Sequence, residues 1–129
     1  MKKLFLLITF FAFSFAYSQD WKLLFELPDA GSYYYKSNTN ETAWIKVVSD
    51  KIKYYSSKTS REQKSVDGYS VSLWKFDCRS KKMGIIKSTT YNKDGKVLES
   101  FSQNELLVEM DYVNPDSIGE GLLITFCGT

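Results

Sequence analysis

Two cysteines, Cys78 and Cys127, offer the clearest chemistry in this chain of 129 residues. They are the only cysteines, and their wide separation is unlike the Cys-x-x-Cys spacing of thiol redox sites. Two cysteines in an exported protein normally pair, because the compartments outside the cytoplasm are oxidising. If the chain is exported, its sequence therefore predicts a structural Cys78–Cys127 disulfide.

The beginning of the chain predicts export. Lys2 and Lys3 precede an apolar run from Leu4 to Phe15, and Ala16-Tyr17-Ser18 is a small-x-small cleavage site. The run is too short to cross a bilayer, which disfavours a retained anchor, and no lipobox cysteine stands at the cleavage site. We expect residues 1–18 to be a signal peptide and residues 19–129 to form a single domain. This domain should be soluble, periplasmic or extracellular, and without a transmembrane anchor.

The charge of the expected mature chain is balanced overall but uneven along its length. The full sequence has 17 Lys and Arg against 15 Asp and Glu, and Lys2 and Lys3 account for the excess. Residues 46–87 contain eleven bases and four acids, whereas residues 88–129 contain two bases and seven acids. This pattern indicates a basic face and an acidic face. It does not predict a nucleic-acid partner, which would require a net basic excess.

Other catalytic chemistry finds little support in the sequence. Histidine is absent, which excludes Ser-His-Asp and Cys-His nucleophile systems and disfavours a zinc or iron site. No Gly-rich phosphate loop occurs. A pair of catalytic carboxylates has no sequence signature, and we interpret the acidic side chains as solvated surface. The sequence therefore predicts no enzyme, no metal and no cofactor.

Two groups of side chains are candidates for binding a protein partner. The basic group surrounds a predicted strand–turn–strand and comprises Lys75, Arg79, Lys81, Lys82 and Lys87. It could dock an acidic or sulfated partner, although a charged turn that protects a sheet edge is the more ordinary interpretation. The aromatic group comprises Tyr33, Tyr34 and Tyr35, with Trp44, Tyr54 and Tyr55 further along the chain. It could supply interface anchors, or core and cross-strand pairs.

Six strands are expected to position these residues. Apolar alternation and β-favouring composition predict strands over 21–27, 33–35, 42–48, 69–78, 83–91 and 97–101, with an extension of the third over 51–55. In the first strand, Trp21, Leu23, Phe25 and Leu27 should share one face. Asn92-Lys93-Asp94-Gly95 predicts a hairpin turn, and the polar stretch 56–68 predicts a long exposed loop. The stretch 106–113 has no clear pattern.

A helix is expected near the end of the chain. Ser117 and Glu120 have the spacing of a capping box, in which Ser117 bonds forward and Glu120 reaches back. Five side chains then fall on one broad apolar side of the helix, namely Ile118, Leu122, Leu123, Phe126 and Cys127. Gly119 and Gly121 lower the intrinsic helix propensity. The helix should therefore depend on docking and on the disulfide.

The order of these parts resembles the surface-adhesin protein E family of Gram-negative bacteria. It runs from Trp21 through a Tyr-Tyr pair, a Trp-Ile-Lys strand and a strand ending in Phe-Asp-Cys. A Tyr-x-x-Asp-Gly-Lys hairpin, an Asn-Pro-x-Ser-x-Gly-Glu segment and a terminal cysteine complete it. The resemblance implies an α+β fold, with an antiparallel sheet of about six strands. A C-terminal helix would lie on the concave face, tied by Cys78–Cys127.

Two functions compete at this point. The resemblance implies a non-enzymatic envelope protein that contacts protein partners, with dimers in some family members and matrix adhesion in the best-known one. That member is a lipoprotein, whereas this chain has no lipobox cysteine. The alternative is a periplasmic carrier or sensor of a small apolar ligand held between the sheet and Ile118, Leu122 and Phe126. A carrier requires a cavity there, and a filled interface would exclude it.

Overall fold

The computed structural model describes residues 21–57, 59 and 61–128 of the chain. The expected signal peptide at residues 1–18 lies outside the described residues. The elements in chain order are β1 (Lys22–Leu27), β2 (Gly31–Ser37), β3 (Thr42–Tyr55), β4 (Gln63–Asp77), β5 (Lys82–Asn92), β6 (Val97–Ser102), a 3-10 turn (Glu105–Leu107), β7 (Asp111–Tyr112) and helix α1 (Ile118–Cys127). Within the described residues, no helix has the length and apolar character needed to cross a membrane.

The strands form one antiparallel sheet in which sequence neighbours are also spatial neighbours. Its order is β1-β2-β3-β4-β5-β6, and the short β7 pairs with the beginning of β5. The predicted α+β architecture of six main strands and a C-terminal helix is confirmed. The predicted hairpin is confirmed too: Gly95 takes a positive φ of 87°, and its N–H donates to the Asn92 carbonyl at 3.0 Å.

The hydrophobic core lies between α1 and one face of the sheet. Its buried members are Ala43 and Ile45 of β3, Phe76 of β4, Met83 of β5, and Leu122 and Leu123 of α1. The rings of Phe76 and Phe126 stack with centroids 4.5 Å apart, joining β4 to the helix. Because α1 buries this face, we call it the covered face, and the opposite face the open face.

The disulfide fixes the end of α1 to the end of β4. Cys78 and Cys127 are bonded, with their Cα atoms 5.8 Å apart and a sequence separation of 49. The predicted pairing is thus confirmed. Gly128 follows the helix with a positive φ of 76°, and its N–H donates to the Ile124 carbonyl at 2.8 Å. The disulfide is therefore attached at the last residue of α1, where the helix also ends.

The predicted loop over 56–68 is wrong in its second half. Strand β4 begins at Gln63, so that β3 and β4 form a long hairpin arm with pairs from Ile52–Val66 to Tyr55–Gln63. Most side chains of this arm are exposed, and a strand that buries neither face shows no apolar alternation. The ladder shifts register between Ser49 and Ile52, and the backbone N–H of Tyr55 donates to the Glu99 carboxylate of β6 at 3.2 Å. The arm thus reaches β6.

The predicted alternation of β1 is wrong as well. The ladder between β1 and β2 is irregular between Leu23 and Phe25. Leu24 and Phe25 both pack against the core, whereas Leu23 is 47% exposed. An extra residue in one strand reverses the faces on one side of it, because strand side chains alternate with a period of two.

The helix begins as predicted but faces the sheet differently in its first turn. Ser117 Oγ accepts the Glu120 N–H at 3.2 Å, which is the forward half of the capping box. A return bond from the Glu120 side chain is not found among the described residues. Gly119 lies beside Met83, and Gly121 beside Phe25. The glycines face the sheet here, and Ile118 is 39% exposed instead of joining the core.

Candidate partner-binding surface

The open face is built from the strand positions that lie between the core positions. Because Ala43, Ile45 and Val47 point toward the helix, their neighbours on β3 point away from it. Cross-strand register extends these positions into three rows across β2 to β5. The rows are Lys36–Trp44–Leu73–Lys87, Tyr34–Lys46–Val71–Thr89 and Ser32–Val48–Tyr69–Tyr91. None of the residues in these rows belongs to the core that α1 completes on the opposite face.

Aromatic rings and ammonium groups interleave on the open face. The Lys46 Nζ lies 5.1 Å from the centroid of the Tyr69 ring and 5.8 Å from that of Trp21. Lys36 Nζ also lies over Trp21, at 5.9 Å. The Tyr69 and Tyr91 rings stack at 4.8 Å. Cation–π contacts of this kind hold a positive charge in place above apolar surface, so the face presents ordered cations between aromatic rings.

The electrostatic character of the open face is positive. The three rows from β2 to β5 contain three lysines and, among these described positions, no carboxylate. Glu26 lies beyond them on the edge strand β1, opposite Ser32. Lys75, half-buried at the end of β4, extends the basic character toward the disulfide. Seven of the fifteen acidic residues lie in the last third of the sequence, after β5 begins.

The structure divides the predicted site residues between two places. Tyr34, Lys75 and Lys87 belong to the open face. Tyr33 and Tyr35 lie on the covered face against the core, and their burial raises the pKa of both phenols. Their role as partner-binding residues stays a prediction.

The remaining predicted bases form a turn cluster between β4 and β5, which comprises Arg79, Lys81 and Lys82. Asp77 shapes this turn, because its carboxylate accepts the N–H groups of Ser80 at 3.2 Å and Arg79 at 3.1 Å. The Ser80 and Arg79 hydrogen bonds lower the pKa of the Asp77 carboxyl. Lys82 Nζ lies 4.5 Å above the Tyr112 ring. A cleft of about 290 Å³ beside the disulfide is lined in part by Lys81 and Glu120.

Sequence reasoning missed Trp21, Lys46, Tyr69 and Tyr91 as members of one surface. They lie on four different strands or strand ends, and only the pairing register brings them together. The available signal was the alternation of Tyr69, Val71, Leu73 and Lys75 against the core residues of β4. That alternation assigns a face within one strand, but it does not assign the neighbours on the next strand.

The space required by a carrier is filled. Leu122 and Leu123 are buried against Ala43, Ile45 and Met83, and the stacked Phe76 and Phe126 rings complete the contact. An apolar ligand between sheet and helix would have to displace these side chains, at a cost of several kcal/mol, roughly that of opening a cavity in a packed core. Among the described residues, no group of three or more Cys, Asp or Glu side chains is placed to hold a metal ion.

The fold and this surface describe a disulfide-tethered sheet domain with one face buried by its own helix and one face presented outward. Residues 21–128 match the family model described as Surface-adhesin protein E, so the chain belongs to that family. The searches of curated proteins and of solved structures found no match to this chain. Membership supports an adhesin-like, surface or exported protein of non-enzymatic character.

Proposed function

We propose that this protein is an exported, non-enzymatic binding domain that contacts a protein partner through the open face of its sheet. Family membership supports an adhesin-like role, and the disulfide supports an oxidising location outside the cytoplasm. Export would use residues 1–18 as a signal peptide and leave residues 19–129 as the working domain. The observation that carries the proposal is the grouping of Trp21, Lys46, Tyr69 and Tyr91 on the open face.

The composition of the open face favours an acidic partner. Tyrosine and tryptophan are frequent anchors of protein interfaces, because they bury a large area at a small cost in side-chain entropy. Lysines fixed above rings would be attracted to carboxylates and would accelerate encounter with an acidic surface. Within the described rows between β2 and β5, Lys46 and Lys87 stand among uncharged neighbours.

A charge-reversal experiment tests this proposal. The purified protein, immobilised, captures proteins from an extracellular-matrix extract and from the native envelope, and mass spectrometry quantifies what is retained. We expect Lys46→Glu combined with Lys87→Glu to reduce retention of acidic proteins roughly tenfold or more, which corresponds to about 1.4 kcal/mol. Raising the salt concentration should weaken wild-type retention, because exposed charges are screened.

The matched control is Lys93→Glu combined with Lys96→Glu. Both residues are exposed in the β5–β6 turn, outside the three rows of the open face, and the change in net charge is identical. Equal retention by both double variants would show that total charge, and not the open face, governs binding. A third variant, Lys81→Glu combined with Lys82→Glu, tests the turn cluster. If it alone abolished retention, the partner would bind beside the disulfide and the open-face proposal would fail.

A further inference from the structure

The covered face is only partly occupied by α1. Beyond the helix, a groove of about 410 Å³ remains between the β3–β4 arm and β6. We call it the hydroxyl groove, because its floor carries the hydroxyl groups of Ser49, Ser70, Ser88 and Thr90. Its volume falls within the usual range for sites that hold a small molecule.

Register explains why the floor is polar. One row across the covered face runs Tyr33–Val47–Ser70–Thr90–Glu99, and the next runs Tyr35–Ile45–Ser72–Ser88–Phe101. Ser70 and Thr90 are therefore direct cross-strand neighbours, roughly 5 Å apart. The row under the helix is apolar from β3 to β5, where it runs Ala43–Trp74–Ile85, and its β2 member is Ser37. The same face thus changes from apolar to hydroxyl-bearing beyond the strand positions that the helix covers.

The hydroxyl groups differ in how far the protein satisfies them. Ser72 and Ser88 bond each other, with their Oγ atoms 2.9 Å apart. Ser49 Oγ accepts the Lys51 N–H at 3.1 Å. Each hydroxyl can donate one hydrogen bond and accept two, so a ligand in the groove would meet both donors and acceptors. Such a floor suits a ligand that is itself both donor and acceptor at several positions.

The walls and the rim restrict the ligand further. Tyr33 lies on one side and Phe101, 49% exposed, on the other, so that aromatic surface flanks the polar floor. Around the rim, Lys51 and Lys53 are balanced by Asp29 and Glu99. A balanced rim gives no advantage to a strongly charged ligand, and a hydroxyl floor disfavours a purely apolar one because polar groups would be desolvated without partners.

We propose that the hydroxyl groove binds a neutral saccharide. A sugar ring carries hydroxyl groups around its edge and C–H groups on its faces, which match the hydroxyl floor and the flanking rings of Tyr33 and Phe101. The site lies on the opposite face of the sheet from the open face. Saccharide binding is thus separate from the proposed contact with a protein partner.

An NMR titration tests this inference. The ¹⁵N-labelled protein is titrated with glucose, galactose, N-acetylglucosamine and lactose, each up to about 10 mM, a range that detects millimolar affinity. We expect saturable shifts of the amides of Ser49, Ser70, Ser88 and Thr90 with at least one of these sugars. Ser70→Ala combined with Thr90→Val should weaken that binding roughly tenfold, while the amide spectrum of the free variant reports that it is folded.

The chain offers a matched control in Thr89→Val. Thr89 is the neighbour of Thr90 on β5, is 8% exposed where Thr90 is 7% exposed, and lies on the open face. This variant should bind the sugar as wild type does, as should Lys46→Glu combined with Lys87→Glu. The absence of saturable shifts with all four sugars, shifts confined to other residues, or equal weakening by Thr89→Val would overturn the inference. None of these results would bear on partner retention by the open face.

Discussion

The covered face and the open face of the sheet arise from the same strands but complete their packing in different ways. On the covered face, α1 supplies Leu122, Leu123 and Phe126 to bury the sheet residues. On the open face, the side chains pack against each other within the sheet surface. Lys46 lies over two aromatic rings, and the Tyr69 and Tyr91 rings stack. A strand that alternates between these environments can therefore provide core and contact surface with adjacent residues.

Among the variants that test this comparison, we expect removal of the Cys78–Cys127 disulfide to have the largest effect on stability. Cys78→Ala combined with Cys127→Ala should lower the free energy of unfolding by about 4 kcal/mol, because the 49-residue link restricts the unfolded chain. Urea titration followed by circular dichroism measures the change. A reductant should bring the wild type to the stability of the variant and leave the variant unaffected. If removal of both sulfurs changed stability by less than about 1 kcal/mol, docking alone would hold the helix.

A matched pair of truncations compares the two faces directly. Ile45 is 2% exposed beneath α1, whereas Leu73, in the adjacent strand, is half-buried on the open face. We expect Ile45→Ala to cost about 3 kcal/mol, within the range for buried aliphatic residues, and Leu73→Ala to cost about 1 kcal/mol. The free energies of unfolding from urea titration decide between them. Equal costs would contradict the division into a buried and a presented face.

The smallest effect concerns the tyrosines of the covered face. Burial raises the pKa of Tyr33 and Tyr35 above the ordinary 10.0, so their neutral form is favoured in the folded protein. Their contribution to stability is complete below the pKa of the unfolded chain and is lost as the pH rises through the folded pKa. Tyr33→Phe combined with Tyr35→Phe should therefore flatten the decline of the urea midpoint above about pH 10.

The same variant should behave differently near neutral pH. There the phenols of the wild type are un-ionised, and we expect the midpoint of the variant to lie close to the wild-type value. An alkaline decline of the same steepness in both proteins would show that burial on this face does not control the ionisation of these tyrosines.

The sequence predicted those parts of the fold that have a local signal. The strands over 42–48 and 83–91, the turn at Asn92–Gly95, the forward cap by Ser117 and the pairing of Cys78 with Cys127 were all predicted and are confirmed. The strands, the turn and the cap each depend on residues that are close in sequence. The disulfide could be predicted because two cysteines allow only one pairing within the chain. Composition and spacing therefore sufficed.

Features that depend on register were not predicted. The irregularity of β1 at Leu23–Phe25 inverts an alternation that looked regular, and the exposed arm from Gln63 has no buried face to produce a pattern. The open face combines Trp21, Lys46 and Tyr69 only because the strands pair as they do. The hydroxyl groove likewise depends on the pairing of Ser70 with Thr90. A single sequence contains no direct record of these neighbours.

The nearest-neighbour order of the sheet has a consequence for how the protein acquires its structure. Each main strand pairs with the strand that precedes or follows it in the chain, so the sheet can grow by successive hairpins with short loops to close. The helix, by contrast, must return across 49 residues to reach Cys78. We expect the sheet to form first, while Cys78 at its edge is still a thiol. Oxidation of Cys78 and Cys127 to the disulfide would then be the last covalent step of folding.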